Sequence, residues 1–406
     1  MKEYYADLHI HIGRTRSGRA VKITGAKTLT FSNVLQVASE RKGLDLIGII
    51  DCHSPEIIEE IEAGILDGEI TEKIEGGLQY KNTTIIPGSE IEIYDQNCNG
   101  PIHVLAYFPT LKAMKEFSSW MSGHVKNITL SSQRIYCDGR TLQKIVKSLG
   151  GLFIPAHVFT PFKSLYGKGV RSSLTEVFDP KLIDAIELGL SSDTEMVKDI
   201  EELDSYVFVT NSDAHSLGKI AREYQKVLLE EPSFNELAKA LKETGNRKVT
   251  VNYGLNPLLG KYHQTVCSGC LHQVLRDSEQ CPECGNKSII KGVSSRIEEL
   301  SISEMDGRNG KERPPYIHQV PLDFIPGLGP KSMEKLLVAF GTEMNILHEV
   351  TLEQLMEIVP EKLAVYIDSA RKGTLSFEVG GGGKYGKIKK ELTEKVLTDE
   401  ICQDFF

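Results

Sequence analysis

Residues 5–12, YADLHIHI, decide how the fold of this chain is interpreted. Asp7, His9 and His11 alternate with apolar side chains along this stretch. Successive side chains of a β-strand point to opposite faces, so a strand here places all three polar groups on one face. Three side chains of the kinds that bind metal ions therefore leave one strand in the same direction.

Further apolar runs follow over residues 1–255, and each is short and bounded by Gly, Pro or Asp, as buried strands are. They are DLIGIID (45–51), TTIIPGSEIEI (83–93), PIHVLAYF (101–108), GGLFIPAHVF (150–159), LIDAIELGL (182–190) and SYVFVTNSD (205–213). Amphipathic stretches such as SPEIIEEIEAGI (54–65) fit between them as helices. The alternation predicts an α/β domain over 1–255.

Metal-ligand residues stand beside these runs as well. The candidates in chain order are His9, His11, Asp51, His53, Glu90, His103, His157, Asp213 and His215. The carboxyl ends of successive strands meet at the catalytic face of a β/α barrel, so we expect these side chains to lie together there.

So many titratable groups are costly to bury without a cation, although a lone histidine is more often a packed or surface residue. Mixed histidine and carboxylate ligands suit Zn²⁺, Mn²⁺ or Fe²⁺ better than a pure Mg²⁺ cage. We therefore predict two or three divalent ions in the barrel, Zn²⁺, Mn²⁺ or Mg²⁺. Clustered ions of this kind favour phosphoester hydrolysis.

A second metal site is indicated by CSGC and CPEC, which place Cys267, Cys270, Cys281 and Cys284 within one short segment. This spacing is typical of a zinc ribbon, predicted over 262–296, with one structural Zn²⁺ held by four thiolates. Disulfide or redox roles are the alternatives. The ligands alone leave open whether such a ribbon binds nucleic acid, binds protein or only stabilises the chain.

The end of the chain is predicted to be helical. IPGLGPKS carries Gly327 and Gly329 ahead of Lys331, and an amphipathic helix follows. Two glycines permit a tight hairpin whose backbone N–H groups can bind a phosphate. The segment resembles a helix-hairpin-helix motif, a DNA clamp without sequence specificity, and an αα-hairpin used only for packing is the alternative. We place this module at 319–375, a polar linker at 297–318 and a basic tail at 376–406.

The charge of the chain is unevenly distributed. The formal net charge over 406 residues is −9, so a nucleic-acid surface has to be a local basic patch. Arg14, Arg16 and Arg19 follow directly on the HIH strand and are candidates for such a patch, with a solvated loop as the alternative. Apolar residues make up 40% and charged residues 25%, which excludes wholesale disorder and collagen-like repetition. We expect a soluble cytoplasmic protein without a signal peptide or membrane partner.

The order HxH, Asp-x-His, a lone Glu, two separated His and DxH resembles that of the polymerase-and-histidinol-phosphatase (PHP) family. This resemblance implies a distorted seven-stranded β/α barrel with up to three metal ions. It implies that His9, His11, Glu90 and Asp213 are catalytic and that the nine candidates above bind metal, although Asp51 either binds metal or orients His53. The segment GRTRSGRA lacks the further histidine that members with three metals often carry.

A PHP-like site, a four-cysteine ribbon and a helix-hairpin-helix module, in that order, resemble the endonuclease Q family. The resemblance implies a metal-dependent DNA repair endonuclease that cuts on the 5′ side of hypoxanthine, uracil, xanthine or abasic sites. A phosphatase acting on a small phosphate ester and a catalytically silent DNA-binding scaffold are the rival interpretations. DNA carrying such lesions is the expected partner, and a repair or replication protein partner is not identified.

A flipped base must be bound near the metals. The segment after His157 supplies aromatic and cationic side chains for such a pocket, with core packing as the alternative. The candidates are Phe159, Phe162, Tyr166, Lys168 and Arg171, with Ser192 as a weaker choice.

Overall fold

The computed structural model describes residues 1–260, 262–275, 278–301 and 311–375, and the backbone of 377–378 and 387–388. The strands are β1 (Lys2–Ile10), β2 (Leu46–Ile49), β3 (Ile70–Glu72), β4 (Leu78–Tyr80), β5 (Thr83–Ile93), β6 (Ile102–Tyr107), β7 (Arg134–Ile135), β8 (Leu152–Pro155), β9 (Ile186–Glu187), β10 (Phe208–Val209), β11 (Tyr224–Leu229), β12 (Lys248–Gly254), β13 (Val266–Cys267), β14 (Ile289–Ile290), β15 (Tyr316–His318), β16 (Phe377–Glu378) and β17 (Lys387–Ile388). The α-helices are α1 (Phe31–Gln36), α2 (Pro55–Leu66), α3 (Leu111–Ser122), α4 (Gly139–Ser148), α5 (Phe234–Leu241), α6 (Val293–Leu300), α7 (Pro330–Phe340), α8 (Glu343–His348), α9 (Leu352–Ile358) and α10 (Glu361–Arg371). Within the described ranges, no helix is both long and apolar enough to cross a bilayer.

Seven strands form a closed ring in the order β1, β2, β5, β6, β8, β9, β10. Ladder pairing joins β1 through β8, and β9 pairs with β10. The N–H of Val158 joins β8 to β9 by donating to the Glu187 carbonyl at 3.0 Å. The ring closes where His11 N–H donates to the Ala214 carbonyl at 3.2 Å and Ala214 N–H donates to the His9 carbonyl at 3.1 Å. The predicted distorted seven-stranded barrel is confirmed.

One strand of the barrel, β6, runs in the opposite direction to that expected of a β/α barrel. β6 runs antiparallel to both β5 and β8. Because β6 is reversed, its amino end reaches the rim at which its neighbours end. His103, the second residue of β6, therefore joins the other candidates from the start of a strand, whereas the sequence analysis assigned the candidates to carboxyl ends.

A packed layer inside the barrel supports this rim. The layer is one buried apolar cluster that includes Leu8, Leu46, Ile86, Leu105, Ile154, Ala185 and Val209, at least one residue from each strand or the residue preceding it. Glu90 lies four residues beyond Ile86 on β5, and the two-residue period of a strand puts both on one face. Glu90 therefore stands directly above a filled core, at the closed bottom of the site.

Two helices begin at serine residues that differ in capping. Ser54 precedes Pro55 at the start of α2, and its hydroxyl makes no capping hydrogen bond there. The Ser233 hydroxyl accepts a hydrogen bond from the Glu236 N–H at the start of α5. The Glu236 carboxylate does not complete the capping box, because it binds the Glu230 N–H and the guanidinium of Arg247, both at 2.8 Å.

Regular secondary structure occupies both ends of the predicted linker, 297–318. α6 continues to Leu300, and residues 316–318 form β15, which pairs in parallel with β12. The Asn252 N–H of β12 donates to the Pro315 carbonyl at 2.9 Å. The edge of β12 has backbone groups that need hydrogen-bond partners, and this polar segment provides them. Residues 302–310 lie outside the described residues.

The two C-terminal units are confirmed in type. β13 and β14 form an antiparallel pair in the ribbon, and α7 to α10 form the helical module, in which α8 was not predicted. The module rests on a π-helical turn of the barrel domain, Val37–Lys42. Glu343 of α8 binds the ammonium of Lys42 at 2.7 Å and the guanidinium of Arg41 at 3.2 Å, and His348 stacks on Tyr5 at 4.7 Å. The predicted basic tail, 376–406, lies outside the described residues except for the backbones of β16 and β17.

Candidate metal centre

Seven predicted ligands form three groups at the barrel rim. Within each group, one ligand atom from each residue lies within 4.8 Å of the others. The groups are His9, His11 and Glu90; His11, Asp213 and His215; and Glu90, His103 and His157. Because Glu90 and His11 each belong to two groups, the three form one continuous constellation.

Glu90 is the central carboxylate. Its Oε1 lies 2.8 Å from His103 Nδ1, 3.4 Å from His157 Nε2 and 3.6 Å from His9 Nε2. Its other oxygen, Oε2, lies 3.6 Å from His11 Nε2. Each oxygen thus faces a different set of imidazoles, so Glu90 could contribute a ligand atom to each of the two groups to which it belongs.

Asp213 is the second shared carboxylate. Its Oδ1 lies 3.5 Å from His9 Nε2, 3.4 Å from His11 Nε2 and 3.5 Å from His215 Nδ1. Asp213 therefore joins the HIH strand to the DAH motif across the seam at which the barrel closes.

The constellation fits metal ions by its unsatisfied atoms. The Nε2 atoms of His9, His11 and His103 are buried and have no hydrogen-bond partner among the residues that the structure describes. The Nε2 atoms of His9 and His11 face the shared carboxylates of Glu90 and Asp213, whereas His103 Nε2 lies 3.7 Å from Glu92. Buried polar atoms are nearly always paired, so the unpaired nitrogens of His9 and His11 indicate that a partner belongs between them and these carboxylates. Neutral imidazole and carboxylate oxygen are ligands of Zn²⁺ and similar ions.

The electrostatics of the site favour anionic carboxylates. Burial alone would raise the pKa of Glu90, but His103 and Lys22 outweigh it and hold that pKa well below its usual range. Burial likewise opposes ionisation of Asp213, and His9 and His11 hold its pKa well below the ordinary value. Two ionised carboxylates in a buried site attract cations.

Two acidic residues orient the imidazoles without joining the groups. The carboxylate of Glu187 accepts a hydrogen bond from His9 Nδ1 at 3.0 Å, and Asp51 Oδ2 accepts one from His11 Nδ1 at 3.0 Å. These bonds leave each Nε2 free to bind metal. Asp51 thus orients His11, whereas the sequence analysis considered His53. Glu187 was not predicted, although a carboxylate inside the apolar run LIDAIELGL was a signal that could have identified it.

His53 differs from its predicted role as a ligand. Its Nδ1 lies 2.9 Å from the Ser89 hydroxyl, and its Nε2 lies 3.2 Å from the Leu130 carbonyl. Burial lowers its pKa. Since both ring nitrogens have protein partners and His53 belongs to none of the three groups, it packs beside the centre without entering it.

His157 is tightly enclosed. Its backbone has the uncommon φ of 31°, and Gly189, with φ +77°, lies against it. A Cβ on Gly189 would lie 2.6 Å from the Cβ of His157, far inside van der Waals contact. Glycine at this position is therefore what lets the imidazole reach Glu90.

A cavity of about 520 Å³ opens above the constellation. Glu90, His103, His157 and Asp213 form part of its wall. Lys22 also lines it and binds Glu90 Oε2 at 3.0 Å and the Ser132 hydroxyl at 2.6 Å. The volume is within the range of ordinary ligand pockets.

One predicted base-pocket residue lines this cavity, and the others do not. Phe162 is 44% exposed and meets Tyr262, which was not predicted, edge to face at 5.4 Å and 82°. Phe159 and Tyr166 instead stack on each other at 5.2 Å in the core, because their apolar rings are more stable there. Ser192 is also buried, and its hydroxyl donates to the Leu188 carbonyl at 2.8 Å.

The other two candidates lie on the surface beside the cavity. Lys168 places its Nζ 5.8 Å from the Phe162 ring centroid, and Arg171 is exposed. Arg296 of α6 holds this segment, since its guanidinium donates to the carbonyls of Tyr166 at 2.7 Å and Arg171 at 2.6 Å. α6, which follows the ribbon, therefore holds the segment that comes directly after the cavity-lining residues Phe162 and Lys163.

The predicted basic loop is partly neutralised. Arg19 forms a 2.9 Å ion pair with Glu56, and the backbone N–H of Arg16 donates to Glu60 at 2.6 Å. Arg16 remains exposed and Arg14 is half-buried. Because α2 places acidic groups against this loop, its field on a distant polyanion is weaker than the sequence suggests.

The four cysteines converge as predicted for a ribbon. Cys267 Sγ lies 3.5 Å from Cys284 Sγ, and Cys270 Sγ lies 3.5 Å from Cys281 Sγ. A tetrahedron with metal–sulfur bonds of about 2.3 Å has edges of about 3.8 Å, which these thiols match closely. The backbone N–H groups of Cys270 and Gly269 lower the pKa of Cys267 to about 6. The group is thus suited to a structural Zn²⁺.

The glycine hairpin of the helical module is open. Gly327 has φ +90°, and a Cβ added at Gly327 or Gly329 would meet nothing within 4 Å. Lys331 is exposed in the first turn of α7. No residue of the described ranges fills the space above the hairpin, so a phosphate can approach its backbone.

Comparisons place this architecture among known proteins. No protein-family model matches the chain. It is 58% identical over 389 residues to the uncharacterised protein YqxK of Bacillus subtilis (strain 168), covering 96% of this chain and all of that one. It is similar to the lesion-specific endonuclease PfuEndoQ of Pyrococcus furiosus, with 31% identity, a TM-score of 0.83 and full coverage of both chains. It also matches endonuclease Q in complex with a 27-mer duplex carrying an abasic lesion at the active site, with 30% identity, a TM-score of 0.81 and full coverage of both.

Proposed function

This chain belongs to the endonuclease Q family, and we propose that this lesion-specific DNA repair endonuclease hydrolyses the phosphodiester on the 5′ side of a deaminated base or an abasic site. Hypoxanthine, uracil and xanthine are the deaminated bases. The observation that carries the proposal is that the cavity at the barrel rim ends on three ligand groups joined by Glu90 and His11. A scaffold without catalytic activity would have no use for this constellation.

The three groups at the rim would hold two or three divalent ions, with Zn²⁺ or Mn²⁺ matching the imidazole-rich ligands better than Mg²⁺. Such ions, when bound, supply an activated water and neutralise the charge on the leaving oxygen. His9, His11, Glu90 and Asp213 would share these ions and are the residues that we propose as catalytic.

Residues around the groups position the reactants. Glu187 and Asp51 hold the rings of His9 and His11 through their Nδ1 atoms, so the imidazoles need no reorientation during the reaction. Lys22 places an ammonium at the cavity wall, where it can bind a non-bridging phosphate oxygen. Phe162 and Tyr262 provide aromatic surface against which an extruded nucleotide can stack.

The remaining units would hold undamaged DNA. The open hairpin at Gly327 and Gly329, with Lys331 beside it, offers backbone N–H groups and a positive charge to the phosphate backbone. Such contacts carry no base information. The ribbon, with one structural Zn²⁺, would stabilise its own segment and position α6.

A cleavage assay on end-labelled duplexes tests the proposal. Each duplex carries one hypoxanthine, uracil, xanthine or abasic site, and an undamaged duplex is the control. We expect metal-dependent cutting on the 5′ side of the lesion, abolished by chelator and by Asp213→Asn, with DNA binding by the variant retained. Hydrolysis of a small phosphate monoester with no cutting of any damaged duplex would contradict the proposal and favour a phosphatase.

A further inference from the structure

A turn at the mouth of the cavity exposes an apolar side chain. Lys22 to Gly25 form this turn, in which the Gly25 N–H donates to the Lys22 carbonyl at 2.9 Å. Ile23 occupies its tip, is 71% exposed and lines the same cavity as Glu90 and Phe162. An apolar side chain thus stands in solvent beside the proposed site of cleavage.

The turn is held firmly to the metal-ligand strand. The Lys22 N–H donates to the Ile12 carbonyl at 2.9 Å, and the Ala26 N–H donates to the His215 carbonyl at 2.8 Å. Val21, directly before the turn, is buried in the core. Ile23 is therefore carried by a support whose two ends are fixed to the residues around the metal centre.

Packing among the described residues does not account for isoleucine at this position. Exposing an apolar side chain forfeits burial free energy, and β-branched residues favour strands over turns. The Lys22 ammonium points inward, where it binds Glu90 and Ser132, and Lys27 beyond the turn is exposed. An exposed apolar side chain with a cation nearby fits a surface that meets the interior of a base stack and its phosphates together.

The metal-ligand residues lie deep in the barrel, and this depth gives an exposed apolar side chain at the cavity mouth a use. His9 and His11 are fully buried, and Glu90 is 1% exposed at the bottom of the cavity. A phosphodiester inside an intact duplex cannot reach that depth, so the damaged nucleotide has to leave the stack. Its departure leaves a gap between the neighbouring bases, which is unfavourable unless something fills it.

We propose that Ile23 is an apolar wedge that enters the duplex stack at the place vacated by the damaged nucleotide, and so acts as a positioning residue for cleavage. The inference rests on the proposed function, because it requires a duplex substrate with an extruded nucleotide. The wedge stabilises the opened duplex and makes no contact with the reacting phosphate. Its contribution should therefore disappear when the substrate is already unstacked.

The test compares Ile23→Ser with Ile23→Met and with the control Ile74→Ser. Ile74 is fully exposed and does not line the cavity. Each protein is assayed on one lesion in a fully paired duplex and in the same duplex with an unpaired bubble around the lesion. We expect Ile23→Ser to cut the paired duplex about ten-fold more slowly and the bubble at the normal rate, with Ile23→Met restoring most of the activity. Equal effects on both substrates, or no effect, would overturn the wedge.

A binding measurement keeps this result separate from the proposed function. In the presence of chelator, a 2-aminopurine next to the lesion reports unstacking by its fluorescence. Wild type and Ile74→Ser should raise this fluorescence on the paired duplex, and Ile23→Ser should raise it less at saturating protein. If wild type cuts neither substrate, the proposed function fails, while the fluorescence comparison still decides for or against the wedge.

Discussion

Replacement of Gly189 by alanine tests how closely the fold confines His157. Gly189 has φ +77°, and left-handed backbone costs a residue with a Cβ about 1–2 kcal/mol. The new Cβ would also lie 2.6 Å from the Cβ of His157, whereas carbon atoms in contact are about 3.5–4.0 Å apart. One of the two must move by about 1 Å, and such overpacking typically costs a further ~1–3 kcal/mol. We expect Gly189→Ala to be destabilised by about 2–5 kcal/mol in total.

Gly68→Ala is the matched control for this variant. Gly68 has nearly the same φ, +76°, but a Cβ there would meet nothing within 4 Å. It should therefore lose only the backbone contribution, about 1–2 kcal/mol. Urea denaturation of both chelated proteins measures the difference between them.

Metal content supplies a second measurement on the same variant. Metal sites tolerate ligand displacements of only about 0.2 Å, so a His157 pushed by about 1 Å should no longer bind. We expect Gly189→Ala to retain less metal in the barrel than Gly68→Ala after dialysis, and to cut a lesion duplex about 10- to 100-fold more slowly. Equal stability and equal metal content in the two variants would refute the view that Gly189 sets the position of His157.

Three further variants examine the units outside the barrel. Cys281→Ser should release the ribbon zinc, as measured by a colorimetric chelator, and should weaken DNA binding. The barrel should still hydrolyse a small phosphodiester. A proportional loss of that hydrolysis would place the cysteines in the active site. Gly329→Val combined with Lys331→Glu should weaken binding equally on damaged and undamaged duplexes. It should also reduce the slope of log affinity against log salt concentration by about one for each phosphate that the module no longer binds, as measured by titration at several salt concentrations. Weakening confined to damaged DNA would assign lesion recognition to the module. Arg296→Ala should raise KM for a lesion duplex more than it lowers kcat, because the segment carrying Phe162 loses its support, and Arg296→Lys should restore part of the effect; an unchanged KM would show that this support is dispensable.

Strand placement was largely predictable from the sequence because it depends on local pattern. TTIIPGSEIEI coincides with β5, Thr83–Ile93, as one continuous run of buried and half-buried residues. The runs around β9 and β10 were longer than the two-residue strands that form. Those strands lie where the barrel is held by short stretches of a few hydrogen bonds, and a sequence does not show where a regular ladder stops.

Contacts between distant segments set the limits of prediction at the site. His53 was assigned to the metals by its spacing from Asp51, yet its ring nitrogens are bound by Ser89 and the carbonyl of Leu130, which only the fold brings near. Phe159 and Tyr166 are aromatic residues of the kind that stack on nucleotides, but packing turns their rings toward the core, where they stack on each other. Tyr262 reaches the cavity from the ribbon side of the chain, so no motif near the metal ligands could reveal it.

The contact between α8 and the π-helical turn bears on the distance between DNA binding by the helical module and cleavage at the metal centre. Lys42 and Glu343 are both buried in that contact, which joins the helical module to the domain that carries the metal centre. If the module binds the phosphate backbone as proposed and keeps this contact on DNA, the fold sets the distance between the bound phosphates and the cleaved bond. The enzyme would then contact a defined length of duplex on one side of the lesion. Its footprint on DNA is lopsided, and a duplex shortened on the gripped side should be a poor substrate, whereas the same truncation on the other side should matter little.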